Sequence, residues 1–225
     1  AAENDEFLRV SDMEVRGDGV SFLVDEQKWS VNAFHSADGT WSSLGTPGSY
    51  TPGSDILSYP NAVGANSERT YIAMHGGGAV LQVFDAAGTH LTDIDVGPAG
   101  YGKISDIELY DSGNFVLWDD DNRQIGYFEV GSSDRKWSPF DFDTVRSCDL
   151  ERYGDRIYAA ANYEGESVIG YFAGTDFSGG NFTVLWRSGR EDFFSSDTDM
   201  HQLFYVSRVD VTANALWAVF PAIAS

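Results

Sequence analysis

Apolar residues occur along this chain in short runs, which are rich in β-branched and aromatic side chains and separated by Gly, Asp and Asn. Such runs are typical of strands linked by hairpin turns, and helical periodicity is missing almost everywhere. The phrase Ile-Gly-Tyr-Phe at 125–128 returns unchanged at 169–172, with looser copies at 81–84 and 31–34. The Phe that closes each copy therefore recurs at intervals of 50, 44 and 44 residues. That period is typical of one four-stranded blade of a β-propeller.

The repeat extends well beyond this phrase, because residues 11–35 align with residues 105–129 without a gap. A four-stranded meander has two apolar faces and cannot bury both alone, whereas blades stacked around an axis bury them. The sequence therefore predicts an all-β chain that forms a single β-propeller domain over 1–225, with about five four-stranded blades and the last one incomplete in this chain. The predicted repeat units run roughly over 8–53, 54–102, 103–144, 145–203 and 204–225, and the second opens with an irregular strand at 56–59.

Two segments resemble the repeats of NHL-type propellers, in the wider group that includes YncE-like propellers. Residues 115–128 match the strand, the polar turn with Asn122-Arg123 and the Ile-x-x-Phe strand of that pattern. Residues 71–88 match the strand and the Asp-x-x-Gly that closes it. The resemblance covers most of the chain as a blade pattern and two blades as a motif. It implies a propeller fold and a habit of binding, and its members range from scaffolds to enzymes.

The formal net charge is −21, from 35 acidic against 14 basic residues. Such a surface repels phosphate backbones and anionic lipid, so we expect no direct nucleic-acid binding and membrane association only through a partner. No apolar run approaches the roughly 18 residues that span a bilayer. Abundant Asp with little Lys resembles secreted or saline-adapted proteins, although β-turns also favour Asp. The opening Ala1-Ala2-Glu3 resembles what remains when a secretory signal is cleaved after small residues. Together these features predict an extracytoplasmic protein, periplasmic or secreted.

Catalytic chemistry is not indicated by any motif. The four histidines fall at different repeat positions, whereas zinc catalysis needs about three converging ligands. We therefore expect no catalytic residues. The densest acidic run is Asp119, Asp120 and Asp121, and carboxylates gathered at a turn are ligands that calcium prefers. A solvated turn between two strands is the alternative. We expect no cofactor unless calcium binds there.

Carboxylates also recur near the starts of the predicted innermost strands, which line the channel of a propeller: Asp12, Asp106, Asp149 and Asp210. A ring of acids at the channel mouth concentrates cations and accepts hydrogen bonds from hydroxyl-rich or basic ligands. Alternatively, each Asp caps its own blade by accepting hydrogen bonds from neighbouring backbone N–H groups.

Aromatic residues outside the predicted core are candidates for ligand or partner contacts. Trp29 occupies a turn position aligned with Arg123, and Trp137 lies beside Ser-Pro. The longest interruption of the repeat, 188–202, carries Phe193 and Phe194, and inserted loops commonly supply binding residues.

Three interpretations follow. The first is a non-catalytic extracytoplasmic propeller that binds a protein partner, as an interaction scaffold or an accessory subunit of a larger assembly. The second is a carbohydrate-binding module that uses Trp29, Trp137 and the channel carboxylates. The third is a calcium-dependent propeller hydrolase or lactonase in which Asp12, Asp106 and Asp149 hold the ion.

Overall fold

The computed structural model describes residues 7–75, 79–97, 102–131, 135–137, 148–163, 166–177, 181–187, 208–213 and 215–219. The chain divides into two compact units, Ala1–Phe115 and Val116–Ser225. Phe193 and Phe194 lie outside the described residues, and Trp137 is described by its backbone only. No helix in the described ranges has the length and apolar character that crossing a membrane needs.

The described residues contain twenty strands. Most of them belong to four-stranded sheets, in which neighbouring strands are consecutive along the chain. Sheet one contains β1 (Val10–Val15), β2 (Val20–Asp25), β3 (Ser30–His35) and β4 (Thr40–Leu44). A short ribbon joins β5 (Thr46–Pro47) to β6 (Ile56–Leu57). Sheet two contains β7 (Pro60–Ala65), β8 (Arg69–Met74), β9 (Val80–Asp85) and β10 (His90–Asp95).

The remaining sheets continue the same pattern. Sheet three contains β11 (Ile104–Leu109), β12 (Phe115–Asp119), β13 (Gln124–Phe128) and β14 (Arg135–Trp137). Sheet four contains β15 (Asp149–Tyr153), β16 (Arg156–Tyr163), β17 (Glu166–Ala173) and β18 (Phe182–Arg187). A hairpin of β19 (Arg208–Val211) and β20 (Leu216–Val219) follows. The prediction of an all-β chain built from four-stranded units is confirmed.

The core of unit one lies between sheet one and sheet two. Strand alternation sends one set of side chains from each sheet into this core. The buried cluster consists of Val20, Phe22, Val24, Val31, Ala33, Leu44, Leu57, Val63, Ile72, Met74, Val80 and Phe84. The first strands β1, β7 and β11 also pack side by side.

The second sheet begins later than the sequence predicts. We expected an irregular strand at 56–59, but Ile56–Leu57 pairs in parallel with Thr46–Pro47 in the separate ribbon. The first strand of sheet two starts at Pro60. Tyr59 lies between the two segments with a φ of 51°, and left-handed backbone cannot continue an extended strand. The prediction that 56–59 form the first strand of the second sheet was therefore wrong.

The repeated phrase Ile-Gly-Tyr-Phe has a packing reason in sheet four. A Cβ atom placed on Gly170 would lie 2.6 Å from the carbonyl oxygen of Thr183 and 2.5 Å from the ring of Phe182. The flanking Ile169 and Phe172 are both buried. The glycine therefore permits β17 and β18 to approach closely, while its apolar neighbours supply the core.

Candidate functional site

The turn between β2 and β3 is built around the buried carboxylate of Asp25. Its Oδ1 accepts hydrogen bonds from the backbone N–H groups of Gln27 and Lys28, each at 3.1 Å. The same carboxylate accepts from the N–H of Leu8 at 2.8 Å and from that of Arg9 at 3.3 Å. One fully buried side chain thus fixes both the turn and the segment that leads into β1.

The acidic run in sheet three forms the same kind of turn. Asp119 is fully buried, and its Oδ1 accepts from the N–H groups of Asp121 at 3.1 Å and Asn122 at 3.0 Å. Its Oδ2 accepts from the side-chain amide of Asn122 at 2.6 Å. Asp120 accepts from the indole N–H of Trp118 at 2.9 Å. The structure therefore uses these carboxylates within the turn, and the described residues contain no group of three or more His, Cys, Asp or Glu that could hold a metal ion.

Trp29 stands at the end of the β2–β3 turn and contacts Tyr59, the residue that precedes β7. Their ring centroids are 4.0 Å apart and the ring planes are inclined by 50°. Both residues have left-handed backbone, with φ of 55° at Trp29 and 51° at Tyr59, which is uncommon for bulky side chains. The carbonyl of Tyr59 accepts a hydrogen bond from the N–H of His75 at 3.0 Å. We call these two residues the aromatic pair.

The predicted channel carboxylates of unit one, Asp12 and Asp106, are both buried. Oδ1 of Asp12 accepts from its neighbour Met13 N–H at 2.9 Å, as Oδ1 of Asp106 accepts from Ile107 N–H at 2.8 Å. Oδ2 of Asp12 also accepts from the N–H of Val63 at 2.9 Å, and this bond joins sheet one to sheet two. Asp12 therefore holds two first strands together through backbone groups.

Polar side chains precede these positions in all three first strands of unit one. Ser11 donates a hydrogen bond to the carbonyl of Asn61 at 2.9 Å. The amide nitrogen of Asn61 and the hydroxyl of Ser105 are buried without a protein hydrogen-bond partner. Buried polar atoms of this kind are where bound water or a polar ligand group is accommodated. The sequence analysis singled out the neighbouring acids but not Asn61 or Ser105.

The other two predicted carboxylates belong to unit two. Asp149 is buried in β15, whereas Asp210 is exposed and lies two residues further along its strand. Asp210 pairs with Trp217 as Glu151 pairs with Tyr158, each with six residues between the partners. Asp210 thus matches Glu151 in the repeat. Burial, together with the negative charges of Asp210 and Asp149, raises the pKa of Glu151 to about 7.

One histidine joins a polar cluster on the edge strand of sheet two. Nε2 of His90 lies 2.9 Å from Oδ1 of Asp93, whose Oδ2 accepts from the Tyr50 hydroxyl at 3.1 Å and the Gly53 N–H at 2.7 Å. Burial opposes ionisation of Asp93, but these donors hold its pKa below the ordinary value. Burial and the Asp93 carboxylate raise the pKa of Tyr50 to about 12. This cluster ties the 50–53 loop to β10.

Sheet one presents a second, largely uncovered face. Strand register places Val15, Ser21, Phe34 and Trp41 in one cross-strand row and Met13, Leu23, Asn32 and Ser43 in the next. Met13 is 59% exposed, Val15 57% and Trp41 52%, while the opposite face forms the core. Phe34 contacts the Trp41 ring at a centroid distance of 5.0 Å. We call these two rows the outer face of sheet one.

Comparison with solved structures identifies the fold. A streptogramin B lyase aligns with a TM-score of 0.64 at 13% identity, over 92% of this chain and 60% of its own. The WD40 repeats of RRP9 align with a TM-score of 0.61 at 10% identity, over 89% of this chain and 55% of theirs. YCF48 bound to a D1 peptide aligns with a TM-score of 0.59 at 12% identity, over 94% of this chain and 60% of its own. The chain is a β-propeller.

The likeness shows the fold alone, because identity is low and the propeller spans less than two thirds of each of these three structures. No family model and no curated protein matches the chain. Membership of the NHL-type or YncE-like group therefore stays a prediction.

Several residues of these surfaces were not anticipated from the sequence. Tyr59 was assigned to a strand, because an apolar run contains no signal for left-handed backbone. Glu151 was missed because the sequence shows neither its burial nor the approach of Asp210 from a separate hairpin. Met13, Val15 and Trp41 follow the ordinary alternation of a strand, and alternation does not tell which face of a propeller blade is covered.

Proposed function

We propose that this propeller is a non-catalytic binding protein, a scaffold or accessory subunit that holds a protein partner on the outer face of sheet one. The exposure of Met13, Val15 and Trp41 in neighbouring rows of one sheet face carries the proposal. Large exposed apolar side chains on one face of a sheet, here at its two edge strands with Phe34 between them, are typical of protein interfaces, because leaving them in water is unfavourable.

Sheet two provides the internal comparison. Its strands β7, β8 and β9 are buried at nearly every position, so both faces of that sheet are covered. Sheet one has the same strand order, but only one of its two faces is packed against the core. A four-stranded blade in a propeller buries both faces when it is packed on two sides. A protein surface placed against the outer face would therefore complete the packing that sheet two already has.

The charge of the chain indicates the chemistry of the partner. At −21, this propeller repels other acidic proteins and further copies of itself, and it attracts surfaces that carry Lys or Arg around an apolar centre. YCF48, which shares the fold, is bound to a D1 peptide in its solved structure, so a propeller of this kind is able to bind a polypeptide. An abundance of Asp with little Lys also supports placing this function outside the cytoplasm.

The proposal is tested by native mass spectrometry of the protein isolated from its source, with the cell fractions kept separate. We expect a complex with a basic protein in the extracytoplasmic fraction. Met13→Glu with Val15→Glu places two charges on the outer face and should release the partner. Leu91→Glu is the matched control, because Leu91 is 50% exposed on β10 and lies on a different sheet.

An unaltered complex in the double variant would overturn the assignment of this face, and a free chain in every fraction would overturn the binding function itself. Recovery from the cytoplasm alone would overturn the location.

A further inference from the structure

We propose that the aromatic pair, Trp29 and Tyr59, is a binding site for an organic cation, meaning an ammonium or guanidinium group. The site lies at the β2–β3 turn and the start of β7, apart from the outer face of sheet one. The two ring planes meet at 50° with their centroids 4.0 Å apart, so they form a wedge and do not share one flat surface. The Tyr59 residue is 47% exposed and Trp29 is half-buried.

The backbone that carries each ring is held by hydrogen bonds before any ligand arrives, and the two rings contact each other. The Asp25 carboxylate fixes the turn that carries Trp29 through the N–H groups of Gln27 and Lys28. The carbonyl of Tyr59 accepts from His75 N–H at 3.0 Å. A site whose side chains are already ordered loses little conformational freedom on binding.

The turn itself does not require a tryptophan. In sheet three the equivalent turn has Asp119 Oδ1 bonded to the N–H groups two and three residues on, at 3.1 and 3.0 Å, as Asp25 is in sheet one. Arg123 stands where Trp29 stands and has a φ of 54° against 55°. Because arginine fits the same turn, the turn geometry does not account for the indole of Trp29, whereas its contact with the Tyr59 ring does.

Charge selects a cation as the ligand. The face of an aromatic ring carries negative electrostatic potential and attracts ammonium and guanidinium groups. The net charge of −21 adds a long-range attraction for cations and a repulsion for anions. Two basic side chains lie in these segments, Arg9 and Lys28, but Arg9 is paired with Glu26 and the turn also contains Asp25. A sugar ring prefers one broad flat platform, which the tilted pair does not present.

The test is a titration of the ¹⁵N-labelled full chain, followed through the indole N–H signal of Trp29. Choline is compared with 3,3-dimethylbutan-1-ol, a neutral molecule of the same shape, and with methyl β-glucoside. N-acetyl-lysinamide and N-acetyl-argininamide form a second arm, which distinguishes a small quaternary ammonium compound from a basic side chain of a peptide. We expect shifts with the cations, weaker binding at high salt, and little response to the two neutral probes.

Two variants of the pair and one control make the test specific. Trp29→Arg keeps a residue that this turn accepts and should weaken choline binding about tenfold, in line with the strength of cation–aromatic contacts. Tyr59→Asn should do the same, since Asn tolerates left-handed backbone. Choline binding by Tyr59→Asn is followed through the Trp29 signal, which this variant keeps. The site can therefore be tested even if Trp29→Arg does not fold. Trp41→Arg makes the identical change on the outer face of sheet one and should leave choline affinity unaltered.

Equal binding of choline and its neutral analogue would overturn the proposal, as would tighter binding of the glucoside or no saturable shift with any cation. Because Trp41 belongs to the docking face, loss of the protein complex in Trp41→Arg with choline binding intact separates this site from the proposed function.

Discussion

Asp25 and Asp119 show how single buried carboxylates shape this protein at the scale of the residue. Each is fully buried, yet each is surrounded by N–H donors from the residues that follow it. A buried carboxylate is stable when several donors replace its water, and the donors in turn lose their own hydration without cost. The buried carboxylates therefore stabilise these acidic turns, because they accept hydrogen bonds from the backbone of the turn.

Replacing Asp25 with Ala should lower the free energy of unfolding by about 2–4 kcal/mol, because the N–H groups of Leu8, Arg9, Gln27 and Lys28 would lose their acceptor. Urea unfolding followed by circular dichroism measures the change. Glu68→Ala is the control, since Glu68 is exposed and should change stability by less than about 0.5 kcal/mol. Equal effects of the two substitutions would show that the buried carboxylate contributes nothing particular.

Sequence reasoning succeeds at this scale where a residue type has one conformational role. The alignment of Trp29 with Arg123 predicted a shared turn position, and both residues have the same left-handed backbone. It fails where the role depends on a distant contact. Nothing in the sequence around Tyr59 indicates that Trp29 lies against its ring, since the two residues are thirty positions apart.

At the scale of the element, the β19–β20 hairpin packs on sheet four. Val211 and Ala218 pack against the buried cluster of Tyr158, Ala160 and Ile169. The same contact brings the negative charge of Asp210 to bear on Glu151. The hairpin is therefore held by apolar side chains against a repulsion between carboxylates.

This repulsion predicts a pH dependence. The pKa of Glu151 is 4.5 in the unfolded chain and about 7 in the native state. Between these values the native state holds a proton that the unfolded chain has lost, so the free energy of unfolding decreases as pH rises from 4.5 to 7. In Glu151→Gln the free energy of unfolding should fall by about 1–2 kcal/mol less over this pH range. This figure is smaller than the full pKa shift would give, because the carboxyl group is partly exposed to solvent.

Urea unfolding at pH 5 and pH 8 measures this difference. Asp210→Asn should act in the same direction, because it removes one of the charges that raise the pKa of Glu151. Glu68→Gln serves as the control for the loss of one exposed charge. A slope with pH that is the same in Glu151→Gln as in the original chain would contradict the argument.

Elements were predictable from the sequence where Gly, Asp and Asn mark each turn, as in sheets one and three. They were not predictable at 56–59, where the two-residue strand β6 and the first strand of sheet two belong to different sheets and are only two residues apart. Register was a second difficulty. The sequence placed Asp210 only close to the position equivalent to Asp149. Its pairing with Trp217, like that of Glu151 with Tyr158, shows that Asp210 matches Glu151.

At the scale of the whole molecule, the charge of −21 dominates. Repulsion among exposed carboxylates extends about 30 Å at 10 mM salt and about 8 Å at 150 mM, so screening favours the compact state. We expect the Tm to rise by several degrees between 10 mM and 500 mM sodium chloride. Differential scanning calorimetry measures it, with sucrose at matched osmolality as the control for solvent exclusion. A Tm that is independent of salt would show that the charges are too far apart to interact.

The hydrogen bond from Val63 N–H to Asp12 has a consequence for how the molecule opens. The donor belongs to the edge strand β7 of sheet two, and the acceptor belongs to β1 of sheet one. The bond joins two different sheets, so separation of sheet one from sheet two breaks it. Exchange of this one amide proton with deuterated solvent therefore reports the free energy of the opening that separates β1 from β7.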